Sequence, residues 1–204
     1  APEQSSVRGR PRAKEQEIFS MPELIELFSL EKVQKAGAIF SIEKLNWMNG
    51  EYIRRKPIME LVPAAKEFLP DFSEADIEGA LRLEQSRIQK LGDLPGRVGY
   101  LKENPEYPPE LLAWKKMGTA EIRSSLERSR ELLGELDGND FSETTIEAHF
   151  LTAIGAGDKG TLLWPLRVAL TGQKASPGPF EIMAVLGKER SHQRIERALG
   201  KIPA

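Results

Sequence analysis

No cysteine occurs in the 204 residues, which removes disulfides, thiolate nucleophiles and Cys-ligated zinc at once. Histidine is almost as scarce. His149 and His192 are the only two, far apart in sequence and without the HExxH spacing of a zinc protease; His149 adjoins a core-facing phenylalanine, so a packed helical histidine explains it better than a ligand does. No phosphate loop of the GxxxxGKS or GxxxxGKT type is present. The glycine-rich stretch Gly155 to Gly160 follows a helical pattern rather than a strand, which suits a helix–helix turn better than an anion site. No apolar run approaches the roughly 20 residues of a membrane helix, and Ala1 to Lys14 lacks the apolar core of a signal peptide. The expectation is a soluble chain of the cytoplasm. Strict alternation of apolar and polar side chains is also missing, with only Ala38-Ile39-Phe40 able to form a short strand.

What remains is helix. With 40% hydrophobic residues the chain can bury a core, and its apolar side chains recur at steps of three and four. Ser20 with Glu23 forms a capping box, and Ser41 opens a segment burying Ile42, Leu45, Trp47, Met48 and Ile53. Pro57 and Pro70 bracket a helix carrying Leu61, Ala65 and Leu69. Ser73 with Asp76 opens a clean helix running to about Leu91, with Ile77, Leu81, Ile88 and Leu91 as its stripe and Glu84 as the one polar interruption. Further helices follow from Thr119 and from Ser142, and Asp158 caps another. The fold class is all-α, about ten short helices in two or three subdomains. Its divisions are a flexible basic arm at 1–14, helical regions at 15–70 and 71–136, and a last region at 137–204.

The most distinctive stretch is Leu162 to Glu189, LLWPLRVALTGQKASPGPFEIMAVLGKE. Leu162, Leu166, Ala169 and Leu170 share one helical face, with Pro165 expected in the first turn and Gly172 as the stop. The connector Gln173 to Pro179 holds two prolines and one glycine, the signature of a rigid, exposed path. Phe180 to Leu186, apolar on nearly every side, predicts a buried helix ended by Gly187. From Lys159 onward eight Lys or Arg face three Glu, a local net of +5 in a chain whose total is −2. Within that end Arg190, Arg194, Arg197 and Lys201 recur at helical steps and read as one basic stripe opposite Ile195 and Leu199. Local positive charge of this kind serves nucleic acid, although a merely solvated helix surface produces the same imbalance.

Two stretches together resemble one family. WPLRVALTGQKASPGPFEIMAVLGKE is similar to the C-terminal segment of bacterial-type glutamyl-tRNA synthetases, with its PLR, ALTG, Ser/Thr-Pro-Gly, FEI and LGKE elements. FSLEKVQKAGAIFSIEKLNWMNGEYIRR, from Phe28 to Arg55, resembles the stem-contact connection of the same family. The resemblance runs from about Glu17 to Lys201. It implies the tRNA-reading part of a class I synthetase, a helical cage that grips the anticodon loop of glutamate tRNA. The family's HIGH-like and KMSK-like ATP signatures do not occur in these residues, so the resemblance implies no catalytic residues, no metal and no cofactor here, ATP and magnesium belonging to a catalytic domain elsewhere. As partner it implies tRNA(Glu), neither membrane nor DNA, and a monomer.

Residue by residue, the resemblance places Arg167 in the PLR position and Lys174, Ser176, Pro177 and Pro179 in the loop around the second and third anticodon bases. It places Arg87, in EQSRIQKL, against the first base, where a planar guanidinium can donate two hydrogen bonds as lysine cannot. Arg54 and Arg55 would suit phosphate near the tRNA elbow, as would the stripe of Arg190, Arg194, Arg197 and Lys201. From spacing alone an i, i+3 partnership with Glu84 is the better account of Arg87, and a helical protein-interaction module derived from a synthetase stays open beside the RNA-binding reading.

Overall fold

The computed structural model describes residues 16–32, 37 and 40–203. The basic arm with Arg8, Arg10, Arg12 and Lys14, and the Ala38-Ile39 pair, lie outside the described residues. Among those described the chain is all-helical, with no strand. Its α-helices are α1 (Met21–Leu27), α2 (Ile42–Arg55), α3 (Ile58–Lys66), α4 (Glu74–Glu84), α5 (Pro95–Lys102), α6 (Thr119–Glu135), α7 (Glu143–Ile154), α8 (Lys159–Thr171) and α9 (Pro179–Lys201), joined by short turns, several of them 3-10.

The starts follow local chemistry. Ser20, Ser41, Ser73 and Ser142 each accept a hydrogen bond from the amide three residues on, filling one of the donors that a helix N-terminus leaves free. Asp158 does the same for Gly160 at the head of α8. The stops need glycine where the backbone turns left-handed: Gly172 ends α8 at φ 68°, and Gly187, at φ 80°, breaks α9 into a buried N-terminal arm and a longer C-terminal one.

Three elements differ from the sequence reading. Of the α2 side chains expected inside, Ile53 is buried but Ile42, Leu45 and Trp47 are exposed. The helix opened by Ser73 ends at Glu84, not near Leu91. Residues 85–90 form a turn instead, because tertiary groups compete for its ends: Gln85 donates to the carbonyls of Ile53 and Lys56, and Asn49 donates to Gln89. Gly50 permits the approach, since a Cβ there would stand 3.3 Å from the Ile88 carbonyl oxygen. Pro165 lies inside α8, which begins at Lys159, rather than in its first turn. The missing amide would orphan the Thr161 carbonyl four residues back; the hydroxyl of the buried Ser125 on α6 donates to that carbonyl at 2.9 Å.

One hydrophobic core runs through the molecule from Ile53 to Ile202. α3 packs on α4, while α8 and α9 pack on each other and on α6 and α7. Ile77, Leu81, Ile88, Phe150, Leu166 and Ile195 are wholly buried, each contributing about 1.5–3 kcal/mol on leaving water. The α4–α5 pair meets the α8–α9 pair along one seam. Gly79 lets α4 close on Val185 of α9 there, a contact any Cβ would block. Trp114 and Trp164, 5.3 Å apart, bind the α5–α6 connection to α8.

Candidate nucleic-acid interface

A cleft of about 770 Å³ opens along the α4–α9 seam. Ser86 and Arg87, from the turn after α4, form part of one wall with Arg82; Glu143 at the head of α7 and Glu181 in the first turn of α9 stand among the residues of the other side. Guanidinium donors thus meet carboxylate acceptors in one concavity. The two glutamates are close enough to act on each other: burial, then Glu181 and Glu147, push the Glu143 carboxyl above its ordinary value.

Arg87 is half-exposed in this cleft. Its Nε lies 3.7 Å from Oε2 of Glu84, so the i, i+3 partnership suggested by spacing is present, at a distance longer than a hydrogen bond. Glu84 itself is buried, 2% exposed, and takes a direct hydrogen bond of 3.0 Å from Nη1 of Arg97 on α5. The polar interruption on the α4 stripe is therefore a buried carboxylate answered by two partly exposed arginines.

Arg167 lies on α8, half-buried, and its Nε is shielded from solvent with no hydrogen-bond partner among the described residues. The connector from Gln173 to Pro179 does not form the exposed path expected. Ser176, Pro177 and Pro179 are buried, and only Lys174 and Ala175 are exposed. Pro179 occupies the first turn of α9, where its ring enters the core beside Phe180, and Glu181 accepts from the Gly178 amide to close the turn. Proline faces that pack inward offer no stacking surface to a base.

The basic stripe is also corrected. Arg194 is 4% exposed and donates to the carbonyls of Leu170, Tyr100 and Glu103; burial, then Arg190, push it below the usual guanidinium range. Arg190 donates to Leu186, Val185 and Leu101, with Asp76 at 3.6 Å. Arg197 and Lys201 both pair with Glu106, whose carboxyl is held down by Lys201 first and Arg197 next. α9 turns Arg194 and part of Arg190 towards α5 and α8, whose C-terminal carbonyls need donors, while Arg197 stays exposed. Arg54 pairs with Glu51, while Arg55 beside it is exposed. His149 stands 3.0 Å from Glu135 on α6, a structural partner.

Comparison with known proteins places this geometry. Residues 60–199 match the model of the anticodon binding domain. The chain belongs to that family. It is 34% identical to the glutamate–tRNA ligase of Clostridium botulinum (strain Loch Maree / Type A3) and 38% identical to that of Thermus thermophilus, over 93% and 90% of its own length respectively. It spans about 40% of the length of these relatives, and the match is to their C-terminal part. Two solved structures share the fold: the glutamate tRNA ligase of Elizabethkingia meningosepticum in complex with its amino acid, at a TM-score of 0.76 and 27% identity, covering 92% of this chain and 38% of that one, and the glutamate–tRNA synthetase of Elizabethkingia anophelis, at 0.73 and 28%, covering 91% and 37%. An anticodon-binding domain of a class I synthetase is thus the architecture that frames the cleft.

The cleft residues missed by sequence reasoning are Arg82, Ser86, Glu143 and Glu181. Glu181 carried a signal, standing three residues after Gly178 at capping spacing. Glu143 carried none beyond its place at a helix start.

Proposed function

We propose that this chain binds the anticodon loop of glutamate tRNA, Arg87 meeting the first anticodon base in the α4–α9 cleft and Arg167, with the Ser176-Pro177 turn, meeting the second and third. The observation that carries the reading is the family match over residues 60–199, which includes every one of these residues. Two features of the site support it. Arg87 is held only loosely, and Arg167 keeps a shielded N–H without a partner among the described residues, a costly state that an acceptor would relieve. Because Ser176, Pro177 and Pro179 are buried, recognition at the turn runs through its backbone groups and the exposed Lys174, not through stacking on proline. Arg55, Lys56 and Lys174, exposed and outside any ion pair among the described residues, supply phosphate contacts. Ligation itself, with ATP and magnesium, belongs to the part of the relatives that this chain does not span, and the setting is the cytoplasm.

The test is binding of the chain to unmodified glutamate tRNA and to the same tRNA with exchanged anticodon bases, at two salt concentrations. Preference for the glutamate anticodon at both salts is expected, because base contacts specify while phosphate contacts only add salt-sensitive affinity. Equal affinity for all anticodons overturns the reading.

A second reading attaches to a different surface. Met21, Ile25, Leu27 and Phe28 of the α1 region, with Phe40, Ile42 and Met59, are each more than half exposed, and large apolar side chains left in water suit a contact with further protein. Such a contact would be with another folded unit, such as the remaining length of the relatives. Binding of a hydrophobic dye, abolished by polar substitution of Met21 and Ile25, checks it.

A further inference from the structure

Glu84 poses a problem for any base-reading role of Arg87. A buried carboxylate has to stay paired, and stranding it costs far more than a single exposed contact returns. Were Arg87 its only partner, turning the guanidinium to a base would leave the charge alone in the core, and the base contact would bring no net affinity.

The structure supplies a second cation. Arg97, from α5, makes the direct 3.0 Å hydrogen bond to Oε2 of Glu84, while Arg87 approaches the same oxygen only to 3.7 Å. The backbone fixes this arrangement: the amides of Arg87 and Ile88 both donate to the Glu84 main-chain carbonyl, at 2.8 and 3.0 Å, which keeps Arg87 one turn from Glu84 and within reach of its carboxylate. Gln85 pins the turn to the end of α2 through the carbonyls of Ile53 and Lys56. Arg97 does not line the cleft. We infer that Arg97 is a positioning residue for anticodon reading: by neutralising Glu84 from the α5 side, it leaves Arg87 oriented by that charge yet free to move to the base. The inference rests on the proposed role of Arg87.

It is tested by epistasis in the full chain, using anticodon stem-loop RNAs that carry either the glutamate anticodon or a changed first base. Discrimination is the ratio of the two dissociation constants, and thermal unfolding confirms that each variant is folded. Arg97→Met makes Arg87 the sole partner of Glu84; discrimination falls about tenfold, while affinity for the changed-base RNA stays put. Adding Glu84→Gln to Arg97→Met removes the charge that captures Arg87 and restores most of the discrimination, although a purely structural loss would deepen. Arg97→Lys, which keeps the cation, retains discrimination even where Arg97→Met folds poorly. Unchanged discrimination in Arg97→Met, or no recovery in the double variant, overturns the inference while Arg87→Ala still loses discrimination. If Arg87→Ala also leaves it unchanged, both this inference and the base-reading role fail.

Discussion

Replacing Arg194 by leucine removes a charged side chain from the middle of the α5–α8–α9 junction, and its cost can be worked from the bonds it makes. Leu170 and Tyr100 each lie in the last turn of a helix, α8 and α5, where carbonyls have no intrahelical partner. The guanidinium donates to both, and reaches the Glu103 carbonyl at 3.4 Å. Leaving two buried acceptors short of a donor costs roughly 1–3 kcal/mol each. Part returns, because burial already disfavours the charged arginine and leucine ends that penalty. The expected net loss is about 3 kcal/mol, or roughly 6–12 °C in unfolding temperature for a chain of this size. Urea denaturation followed by far-ultraviolet circular dichroism at pH 7 reads it, with Arg197→Ala as the control: Arg197 is exposed and, among the described residues, bonded only to the exposed Glu106, so its loss costs at most about 0.5 kcal/mol. RNA affinity of the folded Arg194→Leu chain stays near wild type. A stability loss below about 1 kcal/mol, or intact stability with weakened RNA binding, would refute the assignment and return Arg194 to the phosphate-facing role its spacing suggested.

Gly160→Ala tests the packing that holds α8: a Cβ there overlaps the Trp114 indole, so the Trp114–Trp164 contact must open and the 3.3 Å bond from Trp114 Nε1 to Asp158 is lost, a cost of about 1–3 kcal/mol with a visible change in tryptophan fluorescence. Alkaline titration tests the seam: burial, aided by Glu106 and opposed by Arg197 and Arg194, pushes the Tyr107 phenol up to about 12, and burial with Glu84 raises Tyr100 further. Since the folded values lie above the unfolded value near 10, the phenols' contribution to stability is fully present below pH 10 and is lost as pH rises through the folded values. Tyrosinate absorbance therefore shows Tyr100 and Tyr107 ionising late in the native chain, and their ionisation near pH 10 would contradict their burial.

The helical class, most helix starts and the two glycine stops were legible in the chain because they depend on neighbours within a few residues. Serine and aspartate cap the amides next to them, and Gly172 and Gly187 stand where a left-handed backbone excludes other side chains. The family resemblance was likewise carried by contiguous residues. Side-chain destinations were not. Arg190 and Arg194 look like Arg197 in spacing, yet the first two enter the α5–α8–α9 junction; Ser176, Pro177 and Pro179 look like a surface turn, yet pack against the core. Glu84 stood out as the odd polar residue in a stripe, but its second partner, Arg97, comes from another helix. The helix opened by Ser73 stops early for the same reason, since Asn49 and Gln85 settle its end across a contact with α2. Periodicity shows which faces of a helix differ. Which face meets water, and which unsatisfied carbonyl or buried charge a cation must answer, depends on helices brought together from distant sequence, and only the tertiary structure decides it.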